Sequence, residues 1–207
     1  MTTVQKFYGK YRGVATDNTD PLNIGRIRAK VPDIMDDFET GWAMPCAPFG
    51  GKGMGFFALP QINAGVWIEF EHGDPDYPIW SGCWWGTKEE VPQEFLTDPS
   101  KKVLIKTEGG HSILLDDTGS KKITISTTGG QQFILDDAGG GSVTLKTAAG
   151  QKIVLNDAGG GEVTIQTAAG QSISMKAMTV KIDNGAAASV ELSGPKVALN
   201  QSALEVM

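Results

Sequence analysis

A repeat of twenty residues constrains the second half of this chain more than any other feature. Full copies begin at Thr107, Thr127 and Thr147, and a fourth begins at Thr167 and decays after Met175. Each copy holds two short apolar segments separated by Gly-rich turns that start with Asp, Asn or Thr. Alternation of apolar and polar residues predicts β-strands with one apolar face. Self-similarity at a fixed period indicates a stacked architecture.

A single repeat has too little apolar surface to fold alone. Its few large apolar side chains contribute roughly 1.5–3 kcal/mol each when buried, whereas ordering the backbone costs on the order of 1–2 kcal/mol per residue. The repeats must pack on one another in a single-chain solenoid or on further copies of the chain. A prism of three copies is favoured because it leaves no free strand edges. The residues predicted to line its interior are Ile113, Leu115, Ile123, Ile125, Phe133, Leu135, Val143, Leu145, Ile153, Leu155, Val163 and Ile165.

Composition divides the 207-residue chain into two parts. All five Trp and nine of the ten Pro precede residue 100, whereas the rest is rich in Gly, Thr and Ala. The net charge of −6 disfavours nucleic-acid partners, because phosphate contacts need clustered Lys and Arg. The N-terminal residues lack the apolar core of a secretory signal, which predicts assembly in the cytoplasm. Cys46 and Cys83 fit a chain with reduced thiols.

The first part of the chain is predicted to form a small β-barrel. Short apolar segments are separated by turns rich in Gly, Pro and Asp, a pattern typical of an OB-type Greek-key barrel. The five predicted strands cover residues 7–14, 25–32, 41–48, 65–71 and 78–85.

Three segments of this part resemble phage baseplate assembly protein V. They are Gly25-Arg-Ile-Arg28, Phe56-Phe-Ala-Leu-Pro60 followed by Gly65-Val-Trp-Ile-Glu-Phe70, and Gly73-Asp-Pro-Asp-Tyr-Pro-Ile-Trp-Ser-Gly82. That family forms the central spike of contractile tails and contractile injection systems and is related to the type VI secretion spike VgrG. The resemblance implies a homotrimer with an N-terminal OB-fold ring and a C-terminal triple-stranded β-helix that forms a needle.

The predicted fold class is therefore all-β, an OB-fold barrel followed by a trimeric β-prism needle. The predicted domains are a barrel over residues 1–86, a linker over 87–102, a needle over 103–194 and a tip or cap segment over 195–207. The resemblance implies a baseplate hub protein at the barrel end and the target cell envelope ahead of the needle. Some relatives bind iron through a C-terminal His-Xaa-His pair, but no histidine follows His111. A separate PAAR-type tip protein or an effector at the C-terminal end is the expected substitute.

Chemical motifs are few, and each is interpreted structurally. His72 lies in the acidic turn Glu71-His72-Gly73-Asp74, and His111 takes the repeat position of Gln131, so neither is predicted to bind a metal. The Gly50–Gly55 stretch lacks the Gly-Lys-Ser/Thr ending of a phosphate loop and is predicted to be a flexible barrel loop. The Asp-Asp-Xaa-Gly turns differ in period from calcium-binding nonapeptides. No catalytic residues, cofactor or metal are predicted, and the chain is not expected to be an enzyme.

The resemblance implies a mechanical function. The trimer would be a membrane-piercing spike at the tube tip of a phage contractile tail or a phage-like injection system, within a virion or an extracellular particle. The alternative is a carbohydrate- or ligand-binding OB module on a β-solenoid stalk, which would use exposed Trp side chains as stacking platforms.

Overall fold

A computed structural model describes residues 5–201 and 203–206 of the chain. These residues form two compact units that divide between Pro92 and Gln93. The described structure is nearly all-β, with one four-residue α-helix (α1, Pro32–Met35) and several single 3₁₀ turns. The all-β prediction is confirmed.

The first unit is a five-stranded barrel with a separate hairpin. Its sheet has the order β2-β1-β6-β7-β3, and a bridge from Ile27 to Ala43 joins the free side of β2 to the segment that leads into β3. This bridge closes the sheet. The strands are β1 (Tyr11–Asp17), β2 (Arg28–Lys30), β3 (Met44–Pro45), β4 (Gly50–Gly51), β5 (Met54–Gly55), β6 (Gly65–Phe70) and β7 (Pro78–Trp84).

Alternation along the strands fills the barrel interior. On the segment around β2, Ile27, Ala29 and Val31 are fully buried, while the intervening basic residues point outward. On β6, Val66, Ile68 and Phe70 are buried in the same alternating manner. Two sequence predictions need correction: the first strand is shifted to Tyr11–Asp17, and the Gly50–Gly55 stretch is a paired hairpin because Gly50 and Gly51 pair with Gly55 and Met54.

One carboxylate organises the loop before β2. Asp20 is 7% exposed, and its oxygens accept hydrogen bonds from the Arg26 side chain at 2.6 and 3.0 Å. They also accept the backbone N–H groups of Leu22, Ile24 and Arg26 at 3.0, 3.0 and 3.2 Å. The Arg26 guanidinium, helped by these N–H groups, holds the pKa of Asp20 far below its usual range. The loop is therefore held around an ionised Asp20.

The second unit is one antiparallel meander of twelve strands, in which each strand pairs only with its neighbours along the chain. Its strands are β8 (Lys102–Lys106), β9 (Ser112–Asp116), β10 (Lys122–Ser126), β11 (Gln132–Asp136), β12 (Ser142–Lys146), β13 (Lys152–Asn156), β14 (Glu162–Gln166), β15 (Ser172–Lys176), β16 (Thr179–Asp183), β17 (Ser189–Ser193), β18 (Lys196–Leu199) and β19 (Leu204–Val206).

The connections of the repeats alternate between the two edges of this sheet. We call one the Thr edge, formed by loops 107–111, 127–131, 147–151 and 167–171. In its first loop the Thr107 N–H donates to the His111 carbonyl at 2.9 Å, and the other three loops repeat this bond. We call the other the Asp edge, formed by loops 117–121, 137–141 and 157–161. Each of these loops follows an Asp or Asn side chain that accepts an N–H two residues on, which is an Asx turn.

The repeat was predicted to decay after Met175, but its strands continue there and its period shortens. β14 and β16 begin at Glu162 and Thr179, and β15 and β17 at Ser172 and Ser189, so equivalent strands are now seventeen residues apart. Only the connections on the Asp edge become shorter. There the five-residue loops are replaced by the two-residue turn 177–178. β18 and β19 continue the same sheet beyond residue 194.

The segment predicted as a linker contains three 3₁₀ turns, Lys88–Glu90, Gln93–Phe95 and Pro99–Lys101. Its later part docks on the start of the repeat sheet. The Lys102 Nζ donates to the carbonyls of Glu94 and Thr97 at 3.0 and 2.8 Å, and the Lys106 Nζ lies 2.7 Å from Glu94 Oε1.

Candidate assembly face of the repeat sheet

The strand register places the predicted interior residues on one face of the repeat sheet. Ile125 lies directly opposite Ile113 on one side and Phe133 on the other, and Val143 lies opposite Leu135 and Leu155. Since side chains alternate between the faces of a strand, all twelve predicted residues point to the same side. We call this side the apolar face.

The apolar face is uncovered in the single chain. Leu145, Leu155 and Ile125 are 48%, 47% and 44% exposed, and the apolar face continues through Ile182 and Leu192. Among residues 93–201, 203 and 204, none is buried. The buried apolar core lies between Ala15 and Phe70, in the barrel. A sheet with both faces open has no core of its own, so the strands of this unit require a further layer.

The opposite face is mainly polar. The Ser112 and Ser126 hydroxyl oxygens lie 2.9 Å apart across neighbouring strands, and Lys122 Nζ lies 3.1 Å from Asp136 Oδ2. The Ala138 N–H, and next the Lys122 ammonium, lower the pKa of Asp136. Cross-strand pairs of this kind stabilise a solvated sheet surface. This side is therefore suited to face water.

A central row on the polar face was not predicted from the sequence. Leu114, Ile134 and Val154 are half-buried there, and they lie opposite Thr124, Thr144 and Thr164. The signal was present, since this position is apolar in all three full copies of the repeat. The row was missed because the other strands alternate between apolar residues and Thr, which predicted that this face is polar and solvated.

The barrel carries an apolar groove beside the β4–β5 hairpin. The groove encloses about 710 Å³ and is lined by the hairpin, by residues 45–49 and by part of β7. Phe49, Met54 and Phe57 are 59%, 68% and 70% exposed there. Cys46 and Cys83 also line the groove as free thiols, and partial burial raises the pKa of Cys83.

The Trp side chains of the barrel are mostly engaged within the barrel itself. The Arg12 guanidinium lies 5.9 and 5.2 Å from the rings of Trp67 and Trp84, and Arg26 and Arg28 lie 5.5 and 5.0 Å from the Trp42 ring. These distances are typical of cation–π contacts. The indole N–H groups of Trp80 and Trp84 donate to the carbonyls of Gly25 and Val66. Trp85 is the most exposed of the five, at 63%.

The two histidines belong to different units. The His72 side chain is 91% exposed, in a 3₁₀ turn at 3.9 Å from Glu71 Oε1. The His111 Nδ1 accepts the Thr128 N–H at 3.4 Å on the Thr edge. Within residues 5–201 and 203–206, no three His, Cys, Asp or Glu side chains gather as a metal site would require. The same residues include no helix with the length and apolarity needed to cross a bilayer.

Two protein-family models match the chain, one in each unit. Residues 11–85 match the type VI secretion system/phage-baseplate injector OB domain, and residues 142–205 match the phage baseplate V C-terminal trimerisation domain. The chain belongs to the phage baseplate V family. The barrel is accordingly an OB domain, and the second match covers the repeat sheet from β12 onward.

Curated relatives of this baseplate V chain include proteins of type VI secretion. It is 32% identical over 69 residues to the type VI secretion system spike protein VgrG5 of Pseudomonas aeruginosa. The matched segment covers 33% of the chain and 9% of that protein. It is 30% identical to VgrG4b of the same organism, over 36% of the chain and 10% of that protein. It is also 30% identical to the actin cross-linking toxin VgrG1 of Vibrio cholerae, over 41% of the chain and 8% of that protein. The matched regions are therefore small parts of much longer relatives.

The trimerisation domain supports a homotrimer of this baseplate V chain. In such a homotrimer, further copies would be available to form the layer that a single sheet lacks. Burial of one such Leu or Ile side chain contributes roughly 1.5–3 kcal/mol, and every strand from β8 to β17 offers two apolar side chains on this face.

Proposed function

We propose that three copies of the chain pack their apolar faces together and form the rigid spike of a contractile injection machine. The observation that carries the proposal is the repeat sheet, whose apolar face lies open along its whole length in a chain with a matched trimerisation domain. In this arrangement Ile113, Leu115 and their equivalents up to Ile165 line the interior of a three-walled prism. The paired charges of the polar face lie outside.

The role of this spike is mechanical: contraction of a sheath drives the needle through the envelope of a target cell. A closed β-prism suits this task because its strands are hydrogen-bonded along the full sheet and no strand edge is free along the walls. The chain itself contributes rigidity and no catalytic site. The shortened period after Lys176 narrows each wall and forms the tapered end of the needle, with residues 195–207 as its tip.

The proposed partners bind at the barrel end and at the C-terminal end of the spike. We propose that the barrels seat on a baseplate hub protein, a role supported by the apolar groove beside the β4–β5 hairpin, where Phe49, Met54 and Phe57 are exposed. A PAAR-type tip protein or an effector docks on the C-terminal end. The assembled spike is part of a phage tail or of an extracellular injection particle.

The proposal is tested by locating the C-terminus in intact particles. Cells that produce the particles are given a chain with a C-terminal epitope, and purified material is imaged with gold-labelled antibody. Gold at one end of tube-and-sheath particles supports the spike. Gold on free protein alone, with unlabelled particles of normal appearance, would overturn it. The same epitope fused after a Val143→Asp chain provides the control, because that chain should not enter particles.

A further inference from the structure

The two edges of the repeat sheet differ in charge. The loops of the Thr edge contain one acidic residue, Glu108, and the strand ends beside them carry Lys106, Lys146 and Lys152. Each loop of the Asp edge begins with an aspartate (Asp117, Asp137 or Asp157), and these loops contain one basic residue, Lys121. One edge is therefore basic, and the other is rich in carboxylates.

The basic charge concentrates at one level of the sheet. Lys146 and Lys152 lie directly opposite each other on β12 and β13, and both are exposed. Their other cross-strand neighbours are the neutral Gln132 and Gln166. Within the described residues, neither ammonium group has an ion-pair partner. Like charges placed opposite each other destabilise a sheet. A nearby negative charge would offset the repulsion between Lys146 and Lys152.

Carboxylates without ion-pair partners lie at the same level on the other edge. Asp137 and Asp157 begin the loops that precede β12 and follow β13. Their backbone N–H groups donate to the carbonyls of Lys121 and Gly141 at 3.0 Å each, which fixes both loop starts. Both residues are exposed, and among the described residues neither carboxylate forms a salt bridge. Two lysines on one edge thus match two aspartates on the other.

These groups cannot pair within one chain. They lie at opposite ends of five-residue strands, and a strand rises about 3.3 Å per residue, so roughly 17 Å separates them. That distance exceeds the Debye length of about 8 Å at physiological ionic strength. Among these four groups, compensation is therefore available only between chains.

Symmetry decides which edges meet. Three equivalent walls around a threefold axis join head to tail, so every corner brings the Thr edge of one copy to the Asp edge of the next. We propose that Lys146 and Lys152 of one copy pair with Asp137 and Asp157 of the neighbouring copy at each corner of the prism. This inference rests on the proposed trimer. Corners between two like edges would place four lysines together, so the charges also select parallel, in-register chains.

A charge-reversal cycle tests the corner pairing. We compare the full-length chain with K146E/K152E, with D137K/D157K and with the quadruple variant, and measure the rate of trimer dissociation in urea at low ionic strength, because guanidinium is a salt and would screen the charges. Each double variant should dissociate on the order of tenfold faster, because like charges then meet at three corners. The quadruple variant restores complementary corners and should return to within about threefold of wild type, as coupled sites are not additive. K52E/K88E, with two exposed lysines of the barrel unit, is the control for net charge.

Rescue by the quadruple variant supports the pairing, and additive acceleration would overturn it. A second measurement uses the wild-type trimer, so it does not depend on the variants folding. Zero-length carbodiimide coupling should join chains covalently and yield Lys152 peptides linked to Asp137 or Asp157. The Lys122–Asp136 pair within one chain, at 3.1 Å, is the positive control. Coupling of that pair without any linkage between chains would also overturn the proposal.

The outcomes separate this inference from the proposed function. A wild-type chain that is monomeric would contradict both the trimeric spike and the corner pairing. A wild-type trimer whose quadruple variant is not rescued would contradict the corner pairing alone.

Discussion

Val143 and Leu135 lie directly opposite each other on neighbouring strands of the repeat sheet, on the apolar face that the described residues leave open. The proposed trimer places both in a dry interior. An Asp at position 143 would then bury three carboxylates around one axis. Because an unpaired buried charge costs several kcal/mol, Val143→Asp should abolish the trimer, as measured by sedimentation. A variant that still sediments as a trimer would count against an apolar prism interior.

Thr144→Asp is the matched control for that experiment. Thr144 is adjacent on the same strand but points to the polar face, opposite Ile134 and Val154. The added carboxylate stays in water there, so the trimer should persist with a small loss of stability. Equal damage by both variants would mean that the two faces are not distinguished by assembly.

The Asp20 carboxylate makes the barrel sensitive to acid. Its pKa is lowered in the folded barrel, against an unfolded value of about 3.9. It therefore stabilises the fold fully above that value, and this stabilisation is lost as the pH falls below about 4 toward the folded pKa. Asp20→Asn should lower the barrel's melting temperature at pH 7 and flatten its decline in acid. Trp fluorescence is the measurement, because all five Trp precede residue 100.

Asp37→Asn serves as the control for the acid experiment, since Asp37 is exposed. Its melting temperature should follow the wild-type curve at every pH. If Asp20→Asn also follows that curve, the loop before β2 does not depend on the ionised carboxylate.

Gly65 has no room for a side chain. A methyl group there would lie 2.7 Å from ring atoms of Trp84 and 2.7 Å from the Trp84 carbonyl oxygen. Gly65→Ala should therefore destabilise the barrel by about 1–3 kcal/mol, the range for overpacking, as measured by guanidinium unfolding followed by Trp fluorescence. Gly41→Ala, where nothing lies within 4 Å, should differ little. Equal stability of the two variants would argue against the tight Gly65–Trp84 contact.

Whole repeats should be removable. Deletion of residues 127–146 joins Ser126 to Thr147, which recreates a repeat boundary and removes β11 and β12. The shortened chain should remain trimeric, and its needle should be shorter by roughly 10 Å, the width of two strands. Electron microscopy of the purified trimers measures the length. Loss of the trimer would mean that the repeats are not interchangeable layers of one prism.

Much of the repeat sheet could be predicted from the sequence because its strands and turns follow local rules. The segments Ile123–Ile125 and Val143–Leu145 alternate strictly, and the sheet pairs only neighbours along the chain, so local pattern and register coincide. The shortened period was missed because the turn at Ala177-Met178 carries neither Gly nor Asp. The role of Asp20 was missed because it depends on three backbone N–H groups that converge only in the folded loop.

The mass of the purified chain in solution tests the central claim most directly. Light scattering coupled to size exclusion should give three times the 22.0 kDa mass of one chain, at all concentrations above the detection limit and in physiological salt. A stable particle with the mass of a single chain, whose apolar face is shielded from solvent by its own residues, would contradict the trimeric spike.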